Sequence, residues 1–381
     1  NCSHIIRNAG YMPEPRVTRL ARLLVDYSTD IQHDDQVLIW APASTTGMPL
    51  MLALYERVLE RGGHPHLAPF LRGQDDIFFR FAQEHQLDYV SPFYEMAVET
   101  FDAIIRVGGV PNTRALSGVD PAKQVRHGQA YAPVLQTYLQ RGDEGKLKWT
   151  VTLFPTNALA QEADMSLHDY SDFVYRACHV HGDDDPVDHW KSVQAQQQHL
   201  VEWLRGRDRV EVRAANIDLT LSIKGRSFIN SCGQHNMPDG EIFTGPVENS
   251  VNGRVLFDYP VTVAGREIER IELRFEDGKV VQMNAAKNEP YLQQKLDSDL
   301  GARYVGEWAI GTNYGIDRHT KQILFDEKMG GTMHLAVGSG YPRTGSRNVS
   351  AIHWDMICDM KTDNEITVDG ELFYKDGQFQ I

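Results

Sequence analysis

Near Gly206 the spacing of apolar residues changes period, and this change constrains the fold more than any other feature of the chain. Before it, Val17, Leu20, Leu23, Leu24 and Tyr27 recur at helical spacing, VLIW at 37–40 reads as a buried strand, and Met48 to Arg61 is helical again. Gly62-Gly63 ends that helix, and strands at His64–Phe70 and Asp102–Val107 continue the alternation. Ser166 with Asp169 starts a helix through Cys178, a second helix runs from about Val187 to Leu204, and the polar HVHGDDDP joins them. After Gly206, Ile217, Leu219, Leu221 and Ile223 alternate with polar residues, and Ile271, Leu273 and Phe275 do the same before an Asp277-Gly278 hairpin turn. One helix, near Glu289–Leu300, interrupts this region.

The pattern predicts an α/β chain of two domains. Residues 1–206 form an open α/β domain with a largely parallel sheet, and residues 207–381 form a strand-rich α+β domain. A length of 381 residues also favours two cores over one. No G-x-G-x-x-G follows the first strand, so the α/β half is not read as a dinucleotide site.

Composition narrows the function. A net charge of −14 repels a phosphate backbone, and no basic stripe offsets it, so nucleic acid is excluded as a partner. No apolar run approaches the roughly 20 residues of a membrane-spanning helix. The opening NCSHIIRNAGYMPEP lacks the ordered parts of a signal peptide, and its first ten to fifteen residues read as a leader or a remnant of cloning. Four scattered cysteines without a C-x-x-C pair argue against disulfides or a thiolate zinc site, and a cytoplasmic location fits best.

Four segments in the second half place acids or histidines beside glycines and turn residues: NMPDGEIFTGP, GEWAIGTN, EKMGGTMHLAVGSGYP and SAIHWDM. They supply Glu241, Glu307, His334, His353 and Asp355. In a strand, His353 and Asp355 project from one face, about 6–7 Å apart at the backbone, as two metal ligands or as a surface ion pair. His334 lies in the apolar run TMHLAV, where it needs a hydrogen-bond partner or a metal. Three carboxylates and two imidazoles together match paired Zn, Co or Mn, which activate water and polarise a carbonyl. Neither H-E-x-x-H nor G-x-S-x-G occurs, and the H-x-H of His179 and His181 reads as solvent-exposed.

The runs HNMPDGEIFTGPVENSV, ARYVGEWAIGTNYGI, LFDEKMGGTMHLAVGSGYP and SAIHWDMICDM resemble the aminopeptidase T, aminopeptidase S and PepS group of metallo-aminopeptidases, and the resemblance continues upstream through LFPTNALAQEADMSLHDYSDFVYRAC. It implies a homodimer whose sites face an enclosed cavity, two divalent metal ions per chain (Zn, Co, Mn or Mg), and removal of N-terminal residues from peptides. By motif it implies Glu241, Glu307, His334, His353 and Asp355 as metal ligands and Tyr341 as the active-site tyrosine. Glu307 and Glu327 both remain candidates for proton transfer.

Two other readings compete. Ring-cleaving dioxygenases that act on dihydroxypyridines look similar in overall scaffold, and by that resemblance His334, His353 and Asp355 would hold one Fe(II). A non-catalytic binding module is disfavoured, because every presumed ligand is present and uncompensated buried charge is costly.

Overall fold

The structure is a computed structural model that describes residues 14–43, 47–263 and 266–381. The amino-terminal segment read as a leader and Cys2 fall largely or wholly outside them. The chain divides into two compact units, Asn1–Asp188 with Gly233–Met237, and His189–Cys232 with Pro238–Ile381.

In the first unit, strands Gln36–Pro42, His64–Phe70, Ala103–Gly108, Lys148–Leu153 and the short Asn236–Met237 form one sheet. All of its pairings are parallel, and helices such as Met48–Glu60 and Pro121–Asp143 connect the strands. This is the α/β arrangement that the alternating pattern predicts. Ser166 caps Leu167–Ala177 by accepting from the Asp169 amide. His179 departs from expectation: it is half-buried, with a left-handed backbone and its ring packed edge-on to the exposed His181.

The second unit is a sandwich of two antiparallel sheets. The larger has eight strands, among them Ile217–Ser222 and the hairpin Glu272–Glu276/Lys279–Asn284. Both turn residues of that hairpin, Asp277 and Gly278, have positive φ, the backbone a tight twisted hairpin requires. The helix expected to Leu300 ends at Leu296. Asp299 accounts for the early stop, because its carboxylate accepts from the amides of Gly301 and Ala351 and from the Ser350 hydroxyl, bonds that a continuing helix forbids.

The smaller sheet runs, in both space and sequence, Ile229–Ser231, Glu241–Thr244, Val305–Gly311, Thr332–Gly338 and His353–Asp359. Directly opposed residues share a face. One face carries the rows Ile242–Ile310–Met333–Cys358, Trp308–Leu335–Met356 and Val337–Trp354, all in the apolar core of the sandwich. The other carries Phe243–Ala309–His334–Ile357 and Glu307–Ala336–Asp355, with Glu241 opposite Gly311 and His353 opposite Gly338. Every residue of Val305–Gly311 and Thr332–Gly338 is buried, so both faces are closed to bulk water.

A register shift between Val305 and Glu307 makes this division possible. In an unbroken strand these residues, two apart, would share a face. The bulge at Gly306 leaves Val305 in the core and turns Glu307 to the opposite side. Only glycine fits there, since a Cβ would stand 2.4 Å from the Ser339 carbonyl oxygen and 2.5 Å from that of Gly338. Gly306→Ala is expected to cost about 1–3 kcal/mol through backbone displacement. Thermal unfolding checks this, and an unchanged Tm would show that the bulge is not held by close approach.

Candidate metal centre

Five sequence-predicted ligands converge on the polar face of the smaller sheet, although they span residues 241 to 355. His334 Nε2 lies 3.5 Å from Glu241 Oε2, 3.5 Å from Glu307 Oε1 and 3.9 Å from Asp355 Oδ1. His353 Nε2 lies 3.2 Å from Glu307 Oε2 and 3.5 Å from Asp355 Oδ1. Three groups have ligand atoms mutually within 4.8 Å: Glu241 with Glu307 and His334, Glu307 with His353 and Asp355, and Glu327 with His334 and Asp355. Glu307 belongs to two of them, with a different oxygen nearest each imidazole.

The residues fit a metal. Glu241 Oε2 and Asp355 Oδ1 are buried without a hydrogen-bond partner, a costly condition for carboxylate oxygens unless a cation meets them. His353 Nδ1 is 2.7 Å from the Ser339 carbonyl, which only accepts, so this nitrogen carries a hydrogen and Nε2, directed at Glu307 and Asp355, is the atom left to ligate a metal. Between the ligands the sheet carries small side chains, Ala309 beside His334 and Ala336 between Glu307 and Asp355.

Two of the residues around the centre were not found from sequence. Lys328 is 1% exposed and donates to Glu241 Oε1 at 2.6 Å and Glu327 Oε1 at 2.5 Å, with Asp239 Oδ1 at 4.0 Å. Its place directly after Glu327 in EKMGG is the one signal available, and it is weak, because lysines are usually exposed. Gln197, on helix Pro186–Leu204, donates to the backbone carbonyls of Glu241 and Ser231 at 2.9 Å and accepts from Thr312 Oγ1. Nothing in a polar, glutamine-rich helix distinguishes it.

Tyr341 stands at the rim, its ring 5.2 Å from those of both Phe243 and His353. The residue is 44% exposed overall, while burial around its hydroxyl raises its pKa and keeps it a hydrogen-bond donor. Glu327 follows the short helix Ile323–Asp326. That turn is tied down by buried Asp326, which accepts from the Thr320 amide and hydroxyl and pairs with His319 at 3.1 Å.

Titration reflects the crowding of negative charge. Burial pushes Glu241 up to about 8, with Glu327 and Glu307 adding to the effect and Lys328 opposing it. Burial also raises Glu327. It would lower His334 as well, but Glu307, Glu241 and Asp355 outweigh it and lift the imidazole to about 9. For Glu307 burial acts upward, and the two imidazoles reverse it to a net lowering. Without a cation, protons supply the positive charge that the carboxylates demand.

Buried carboxylates and imidazoles grouped in this way form the ligand chemistry of a metalloprotein. A sequence profile of the thermophilic metalloprotease (M29) family matches residues 14–379, and the chain belongs to that family. It is a peptide hydrolase. Aminopeptidase AmpS of Bacillus subtilis is 28% identical over 250 residues, covering 60% of this chain and 60% of its own length. Aminopeptidase T of Thermus thermophilus is 25% identical over 397 residues, covering 94% and 95%. The structure of AmpT from Thermus thermophilus superposes with a TM-score of 0.84 at 22% identity over 96% of this chain and 99% of that one. A 2,5-dihydroxypyridine dioxygenase from Pseudomonas putida KT2440 has the same fold, at a TM-score of 0.57 and 13% identity over 95% and 96%.

Ala336→Leu tests whether the small residues make room for a metal. The larger side chain is expected to abolish retention of divalent metal while far-ultraviolet circular dichroism stays native. Wild-type metal content in this variant would show that the space above Ala336 is not the site.

Proposed function

We propose that the chain is a two-metal aminopeptidase that removes N-terminal residues from peptides. The observation that carries this reading is the pair of ligand groups, Glu241/Glu307/His334 and Glu307/His353/Asp355, sharing Glu307. Charge supports the number two. Five carboxylates, from Asp239, Glu241, Glu307, Glu327 and Asp355, gather in this cluster with the single ammonium of Lys328, which touches the first, second and fourth of them, and two divalent ions would neutralise the four remaining negative charges. The aminopeptidase names of AmpS and aminopeptidase T support the exopeptidase class.

When bound, such a pair supplies Lewis acidity to a carbonyl and brings the pKa of water toward neutrality. The chain supplies the rest. Glu241, Glu307, His334, His353 and Asp355 are the ligands in this reading. Glu327 is the proton carrier: it is less enclosed than Glu241 or Glu307, and Lys328 holds only one of its oxygens, leaving the other to pass a proton from water to the leaving amine. Tyr341 donates its hydroxyl hydrogen to the developing oxyanion. Phe243 and Tyr341 present an aromatic edge to the first side chain of the substrate.

The Fe(II) ring-cleaving reading is weaker, because the match along the whole chain is to metalloproteases and the dioxygenase likeness extends to fold alone. No described helix is long and apolar enough to cross a membrane. The scattered cysteine spacing, with no C-x-x-C pair, supports a reducing, cytoplasmic setting. Pairing with a second copy is supported by an exposed apolar stripe on helix Met48–Glu60, where Met48, Leu52, Tyr55 and Leu59 fall on one side at 37–53% exposure.

Purified protein is expected to hold two divalent ions per chain and to release free N-terminal residues from short peptides and aminoacyl p-nitroanilides. Chelation should abolish this activity and added metal restore it. One iron per chain with oxygen consumption on a dihydroxypyridine would overturn the proposal.

The two glutamates separate by variant. Glu327→Gln should lower kcat by about 10²–10⁴-fold with metal content kept, whereas Glu307→Gln should lose metal. The reverse pattern would exchange their roles. Sedimentation analysis should give twice the 43.2 kDa chain mass, and a 43.2 kDa species at micromolar concentration would remove the dimer from the scheme.

A further inference from the structure

The buried ammonium of Lys328 has a place in the metal centre that charge balance alone does not describe. Its Nζ lies 2.6 Å from Glu241 Oε1 and 2.5 Å from Glu327 Oε1, and it takes one oxygen from each carboxylate. The second oxygen of Glu241, Oε2, is buried, has no hydrogen-bond partner and points toward His334 Nε2 at 3.5 Å. A carboxylate has two oxygens with which to grip a metal, and here one is already engaged. The lysine backbone is fixed as well, its amide donating to Phe325 and its carbonyl accepting from Asn313.

We infer that Lys328 is a positioning residue of the metal centre: by holding one oxygen of Glu241 and one of Glu327, it leaves each glutamate only its other oxygen for metal or proton. This inference rests on the two-metal reading above and adds the device that orients its acidic groups. A flexible glutamate free to rotate would present either oxygen, or both, and lose the separation between ligand and proton carrier.

Electrostatics and positioning predict opposite signs, which makes the inference testable. Lys328→Met removes a positive charge beside the cations, so a purely electrostatic role predicts tighter metal binding. Loss of positioning predicts weaker binding, by about 10–100-fold, the usual effect of removing a residue that orients a ligand. The measurement is the dissociation constant for Zn²⁺ or Co²⁺ by competition with a chromogenic chelator, with circular dichroism to establish folding. A role in stability alone would lower Tm and leave that constant unchanged. Unchanged or tighter binding by folded Lys328→Met overturns the inference, whereas failure of the wild-type protein to bind two ions overturns the two-metal reading instead.

Where Lys328→Met does not fold, wild-type protein labelled with ¹⁵N at lysine Nζ decides the matter. One ammonium signal protected from solvent exchange and shifted on addition of Zn²⁺ is expected. Absence of such a signal, or a protected signal that zinc does not move, overturns the inference.

Discussion

A strand buried on both faces must do two incompatible things, and the whole carboxy-terminal unit is arranged around that demand. In Thr332–Gly338 the alternate residues Met333, Leu335 and Val337 enter an apolar core, while His334 and Ala336 face a cluster of acids. Burying several carboxylates together costs several kcal/mol per ion unless opposite charge accompanies them. A single lysine cannot meet that need for five acids. The cluster is therefore stable either with cations or with protons on its imidazoles and on Glu241, as the raised pKa values of His334 and Glu241 record.

The surrounding structure serves to keep this face assembled. A bulge at Gly306 sends Glu307 to the acidic side while Val305 stays in the core. Gln197 ties the Glu241 backbone to the neighbouring strand and to Thr312. The Ser339 carbonyl fixes the His353 ring, and the Asp326 pairings hold the turn from which Glu327 and Lys328 project. Each support comes from backbone or buried polar groups with few alternative partners, which is what a site needing sub-ångström placement requires. The likeness to a dihydroxypyridine dioxygenase shows that the same scaffold accompanies different chemistry elsewhere, so the fold alone does not decide the reaction.

The sequence by itself determined the class of each half. The helix and strand periods foretold a parallel sheet in one and alternating antiparallel strands in the other, because side-chain direction follows local backbone geometry. It also drew attention to Glu241, Glu307, His334, His353 and Asp355, since acids and histidines beside glycines in short strands are conspicuous, and family resemblance tied them to one site. Whether they meet, and by which atoms, was decided only by tertiary structure. Glu241 and Lys328 are 87 positions apart, and Gln197 and Thr312 are 115 apart. Such pairings arise from strand register and a bulge, which no local pattern encodes. A lysine after a glutamate reads as surface in the sequence; enclosed by three carboxylates, it lies at the centre of the site.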